Sequence, residues 1–246
     1  MGSLILMTED YRELQKIVGN ILDTPGKGGN ISVKSGNDIL VKASGEDLKV
    51  KHKTALFRND KFFQQIYIKN KKFKVSDEYI KPTMEFGFHK AIKAKYVVHY
   101  HPVYVLPFLC VQNYMLKDKY SDVIETSLPG EDLENKIKNY FKKSEKQEGV
   151  LLLKNHGVIL FSNSIENIKI LHEHVKHKYF RYLEVKENYT PDDVVDKESF
   201  ELLLFRNTMQ NIATKHDLIL QELSKDMVQS LLDDENEKYR QQKMKG

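Results

Sequence analysis

The chain predicts an α/β fold, with one domain over residues 1–190 and a helical C-terminal arm over 191–246. Three observations lead there. At 246 residues the chain can bury a sizeable core and lies near the upper limit for one undivided domain. Segments whose apolar residues recur at helical spacing are interleaved with short alternating runs that suit strands. Beyond Thr190 and Pro191 the sequence changes character: Phe200 to Leu223 keeps helical spacing, whereas Asp233 to Gly246 is almost wholly polar and is expected to fray.

Taken in order, Tyr11, Leu14, Ile17, Val18, Ile21 and Leu22 mark an opening helix behind Thr8 as N-cap. Thr24 to Asn30 carries too much glycine for helix or strand. A hairpin follows, the alternating Ile31 and Val33 and then Ile39 and Val41 lying on either side of Ser35 to Asp38. A second strand region covers about Phe62 to Val75 around Asn70, and Pro82 with Thr83 introduces a helix to about Ala94. Tyr96 to His101 reads as a strand closed by Pro102. Val103 to Val111 is apolar enough for either a buried helix or a strand. A polar helix from Pro129 to Lys143, a buried strand over Gly149 to Leu153, a turn at Asn155 to Gly157 and a partner strand over Val158 to Phe161 come next. Ser164 caps a long helix to about Lys186. No internal repeat is visible.

Composition narrows the function. Apolar residues make up 40% of the chain and charged residues 30%, with 12 Phe and 13 Tyr for a core, as in globular proteins. The 39 Lys and Arg against 35 Asp and Glu leave only +4, and the basic stretches around Lys49 to Lys53 and Lys69 to Lys74 are interrupted, which argues against a nucleic-acid partner. No apolar run approaches the ~20 residues of a membrane span, and Leu4 to Met7 is too short for a secretory segment. The single Cys110 lies among apolar neighbours, as a buried, inert thiol would. A reducing, cytoplasmic location is the expectation.

The chemistry gathers on histidine. His99 and His101, one residue apart on a strand, project from the same face and can reach one ion. Alone, such a pair more often reads as partly buried strand histidines bonded to carbonyls. His156, between a buried strand and Gly157, supplies a third imidazole, and three imidazoles make an open site for a Zn²⁺-like ion. Glu85, in the first turn of the helix preceding the His99 strand, is a carboxylate that the helix dipole favours as an anion. His89, one turn on, can hydrogen-bond it or simply pack in the core. His172, His174 and His177 suggest a second metal group, but only the last two share a helix face, and a solvated surface is the simpler reading.

Five segments stand together: Gly29 to Ser32, Ala43 to Leu48, Pro82 to Glu85 with His89, Val97 to Pro102, and Leu151 to Val158. In content and order they resemble the class II aldolase/adducin family over about residues 8–186. The resemblance implies a three-layer α/β/α sandwich with a mostly antiparallel central sheet, assembled as a homotetramer with active sites between subunits. It implies a divalent metal, Zn²⁺ first and Mn²⁺, Fe²⁺ or Co²⁺ as alternatives, held by His99, His101 and His156. The ion would chelate a carbonyl and hydroxyl oxygen pair of a sugar phosphate and stabilise an enediolate. Glu85 would move the proton if burial raises its pKa, and Tyr120 or Tyr114 from a neighbouring subunit would serve as proton donor. Asn30, Ser44, Gly45 and Thr83, with backbone N–H groups around Gly29, map onto the family's phosphate pocket. Met84 and Lys27 depart from it, Met84 standing where a phosphate-binding serine is common. Glu at position 85 leans toward a carbon–carbon lyase over an epimerase; decarboxylation or dehydration would use the same metal site. A non-catalytic adducin-like interaction protein is the alternative of another class, against which stand the three retained histidines and the carboxylate.

Overall fold

The computed structural model describes residues 2–68, 72–111, 118–180, 200–220, 223–235 and 238–239. The chain forms helices α1 (Gly2–Val18), α2 (Phe86–Ala91), α3 (Leu106–Leu109), α4 (Glu131–Phe141), α5 (Ile165–Phe180), α6 (Phe200–Lys215) and α7 (Lys225–Asp233). Its strands are β1 (Asn30–Ser35), β2 (Asp38–Lys42), β3 (Thr54–Arg58), β4 (Lys61–Ile68), β5 (Lys72–Val75), β6 (Tyr96–Tyr100), β7 (Ser121–Ile124), β8 (Gly149–Leu153) and β9 (Gly157–Ser162). They make one nine-stranded sheet in the order β5-β4-β3-β2-β1-β6-β9-β8-β7. Every neighbouring pair is antiparallel except β7 with β8.

Strand side chains alternate between faces, so the sequence of each central strand divides between two cores. Val98, Tyr100, Val158, Leu160, Val150 and Leu152 join Leu14, Val18, Phe108, Ile168 and Val175 of α1, α3 and α5 on one side. Val97, Ile159, Phe161, Leu151 and Leu153 join Phe88, Leu133 and Ile137 of α2 and α4 on the other. Helices therefore cover both faces of a mostly antiparallel sheet, which is the expected α/β/α sandwich. His99, in step with Val97, faces the α2 and α4 side.

Several boundaries differ from the sequence reading. The opening helix begins at Gly2, and Thr8 lies inside it, its hydroxyl donating to Leu4 O at 2.9 Å instead of capping. β3 and β7 carry no sequence signal of their own, being five and four residues long among polar neighbours. The stretch Val103 to Val111 resolves into a turn and the single-turn helix α3. α2 is shorter than expected because Ile92 is already extended at φ −74°, ψ 121°. Glu85 consequently stands at the N-cap position of α2, just ahead of the first turn. The expected hairpin forms, with Ser35 opposite Asp38 around Gly36 and Asn37 and Val33 opposite Leu40.

Helix α6 packs against the domain. Met209 and Ile212 of α6 are buried in the same core as Leu106 and Phe108 of α3. Truncating Ile212 to alanine should therefore cost about 2–4 kcal/mol of a single cooperative unfolding transition in urea. Two separated transitions, with only the weaker one shifted, would show that residues 191–246 fold independently.

Candidate metal centre

The centre lies where four chain segments meet at one end of the middle strands. β6 carries His99, and His101 follows the strand's last residue, so the two imidazoles stay on the same side with ring centroids 4.7 Å apart. The tight turn from β8 to β9 brings His156 over them, at 4.8 Å from His99 and 5.2 Å from His101. That turn requires Asn155 in the left-handed region at φ 56°, with its amide donating to Thr126 Oγ1 at 3.1 Å. One ring nitrogen from each of the three histidines lies within 4.8 Å of the others.

Two glycines make the approach possible. A Cβ on Gly157 would lie 2.6 Å from both Tyr100 O and the His101 ring. Gly29 has φ +64°, and a Cβ there would sit 2.8 Å from His99 O, so the loop can press against β6 only without a side chain.

Glu85 completes the group. Its Oε1 lies 3.2 Å from His156 Nε2 and its Oε2 3.4 Å from His99 Nε2. Asn30, opposite His99 in the β1–β6 register, donates its amide to Glu85 Oε2 at 2.7 Å and to Thr83 Oγ1 at 3.1 Å. Both amide hydrogens of Asn30 are thereby engaged, so its side chain positions Glu85 rather than offering a donor to an anion. His89 does not reach Glu85 as the sequence suggested; its Nδ1 meets Ser32 Oγ at 2.7 Å and its Nε2 meets Asn30 Oδ1. The resulting chain runs from Ser32 through His89 and Asn30 to Glu85.

Protonation follows from this packing. Burial pushes His99 well below the usual histidine range; Glu85 opposes that and the neighbouring imidazoles reinforce it. His99 Nδ1 donates to Val158 O at 3.0 Å, which leaves its Nε2 lone pair facing His101 Nε2 at 2.9 Å. A neutral imidazole oriented by a carbonyl is the form that ligates a metal. For Glu85, burial alone would raise the pKa, but the histidines at 99 and 156 and hydrogen bonds from His156 and Asn30 outweigh it. Its carboxyl is held well below the usual range, opposite to the expected rise. Three nitrogen donors beside a buried carboxylate fit a divalent cation: the ion would relieve the crowding of lone pairs and supply the positive charge that buried Glu85 calls for.

The residues expected from sequence to receive an anion lie next to this group. Ala43 bridges Pro82, Ser44 N donates to Lys81 O at 2.9 Å, and Thr83 N donates to Lys42 O at 3.0 Å, which sets Ser44 and Gly45 beside Thr83. Lys42 and Lys49 were not singled out from sequence. Lys42 is buried, its ammonium donating to Lys27 O and Glu46 O at 2.8 Å each and to Gly28 O at 3.4 Å. Lys49 donates to Thr24 O at 3.3 Å and to Gly26 O. The loop's carbonyls are spent on these cations and so do not oppose an approaching anion.

Tyr120 is not part of this protomer's cluster. It is 44% exposed at the start of β7, where its ring meets that of His174 at 4.9 Å. Ser121 pairs with Val150 while Ile124 pairs with Leu153, so Tyr120 stands at the end of β7 remote from His156. Tyr114 lies outside the described residues. His172, read from sequence as surface, is 3% exposed and bonded to Asp23.

His89 gives a pH test. Burial pushes its pKa down to about 3, Lys34 adding to the shift and Glu85 opposing it, against ~6.5 in an unfolded chain. As pH falls from about 6.5 toward 3, the unfolded state gains a proton that the folded state refuses, so stability falls by up to ~1.4 kcal/mol per pH unit from this group. Urea titrations across that window should show a shallower pH dependence for H89Q than for the native chain; parallel curves would contradict a buried neutral His89.

Comparison with known proteins accords with this geometry. The family described as "Class II Aldolase and Adducin N-terminal domain" matches residues 21–179. No curated protein matches the sequence. Among solved structures, Klebsiella pneumoniae YgbL, assigned alternatively as aldolase, epimerase or decarboxylase, is 16% identical with a TM-score of 0.54, over 92% of this chain and 97% of its own. The N-terminal class II aldolase domain of a Thermoplasma acidophilum protein is 19% identical with a TM-score of 0.53, over 72% and 92%. An L-fuculose 1-phosphate aldolase is 17% identical with a TM-score of 0.53, over 86% and 96%. At such identities the structures speak for the fold alone, while the family match spans well over half of the chain. The chain belongs to the class II aldolase and adducin family.

Proposed function

We propose that the protein is a divalent-metal-dependent lyase that breaks or forms a carbon–carbon bond in a sugar phosphate or related phosphorylated polyol. The observation that carries this reading is the convergence of the three imidazoles on Glu85, whose two oxygens lie within 3.4 Å of His99 and His156. His99, His101 and His156 would hold the ion, with Zn²⁺ the best fit to an all-imidazole set. When bound, the cation supplies Lewis-acid polarisation of a substrate carbonyl and its neighbouring hydroxyl.

The rest falls to the chain's own side chains. Glu85, ionised and held by Asn30, is a proton acceptor placed beside the substrate-facing edge of the histidines, and returns the proton to the carbon or oxygen that needs it. Ser44, Gly45, Thr83 and the glycine loop would receive the substrate's anionic end, while Met84 and Lys27 alter that subsite and bear on which substrate fits. Tyr120 belongs to this reading only as a donor to a second copy of the chain, in a homotetramer with sites between subunits. No helix among the described residues is long and apolar enough to cross a membrane.

The test is aldehyde release from a panel of ketose phosphates by metal-loaded protein, with and without chelator. Chelation should abolish turnover, and E85Q should retain its metal while losing about 10²–10⁴ in kcat. Turnover that survives full metal removal, or an E85Q variant as active as the native chain, would refute the assignment. Absence of aldehyde release from every phosphate tested, with one ion bound per chain, would redirect it to another reaction on the same site.

A further inference from the structure

The geometry points to Asp23 and His172 as positioning residues that lock the metal-binding turn to the glycine loop from beneath. Asp23 lies immediately before that loop and is 3% exposed. Its backbone carbonyl accepts the His101 N–H at 3.0 Å, and the preceding Leu22 carbonyl accepts the Val103 N–H at 2.9 Å. This pair of bonds joins the start of the loop to the turn that carries His101. Whatever fixes Asp23 therefore fixes His101 and the loop together.

Asp23 is fixed by its side chain. The carboxyl group accepts from Asn20 Nδ2 at 2.7 Å, meets His172 Nε2 at 2.9 Å and accepts from the Tyr104 hydroxyl. Burial first, then Tyr100 and Asp23, push Tyr104 far above the usual tyrosine range, so its hydroxyl keeps the proton it donates. Asn20 Oδ1 returns two bonds, from Leu22 N and Asp23 N, each at 3.0 Å. His172 comes from α5, which packs on the same side of the sheet as α1; buried beside Tyr100, it ties the first helix's exit to that neighbouring helix. A side chain that only filled the core would need no buried polar pair, which costs desolvation unless each group is bonded. The pair is spent instead on the rotational freedom of one peptide unit at the edge of the centre.

The binding arm of the following test rests on the metal-centre reading, and the exchange arm rests on the fold alone. H172L removes the donor to Asp23 at similar volume, and H172Q keeps an amide donor near the position of Nε2. Circular dichroism and urea midpoints establish that both are folded. Zn²⁺ titration of the metal-free proteins should show H172L binding about tenfold or more weaker than the native chain and H172Q restored toward it, in the range typical of outer-sphere partners of metal ligands. Amide hydrogen exchange at His101 in the metal-free proteins should be about tenfold faster in H172L than in H172Q. Equal Zn²⁺ affinity in all three would overturn the inference. If the native chain binds no Zn²⁺, the metal-centre reading fails by itself and exchange decides: faster exchange in H172L upholds the positioning role, and equal exchange overturns it.

Discussion

Three imidazoles and a carboxylate share a volume a few ångströms across, out of water, and the structure around them is arranged to make that tolerable. To ligate a metal, each ring must be neutral with a lone pair pointing inward. His99 meets both conditions through burial and through the Val158 carbonyl that holds its Nδ1 proton. The carboxylate is the one fixed charge, and it is stabilised by Asn30 and His156 rather than by solvent. A buried anion beside three imidazoles has one natural complement, a cation.

The fold provides the convergence by spending its central strands on it. β6 lies between β1 and β9, so His99 has Asn30 across one ladder and Ile159 across the other. The turn before β9 returns His156 to the same end, and Gly157 leaves room for the His101 ring where any side chain would collide with it. Glu85 arrives from the segment that bridges β2, with Thr83 tied to both Lys42 and Asn30. The three histidines, Glu85 and the glycine loop are thus neighbours through short backbone links, although they come from positions far apart in the chain.

Much of this was readable from the sequence, for physical reasons. Tyr96 to His101 and Val150 to Leu153 read as strands because strands buried on both faces show short apolar runs, along which side chains alternate faces with a period of two. The pairing of His99 with His101 follows from the same period of two. Glu85 and Thr83 were found through their motif, since a carboxylate near a helix start has no distinctive pattern. What stayed hidden depends on contacts without local signature. β3 and β7 are short strands whose pattern is shorter than a period test can resolve. The roles of Asn30 and His89 depend on which hydrogen-bond partner wins in the folded state. The Asp23 to His172 bond joins residues 149 positions apart, and His172 looked like a surface residue because its helix neighbours are charged. The low pKa of Glu85 depends on imidazoles and hydrogen bonds that come from distant segments and leave no local pattern.

The central claim is that His99, His101 and His156 bind one ion together. X-ray absorption on the zinc-loaded protein tests it most directly. The account predicts one Zn²⁺ per chain with three imidazoles in its first shell at about 2.0–2.1 Å, and loss of one imidazole when His156 is replaced by alanine. A first shell with a single imidazole, or one unchanged by H156A, would contradict it.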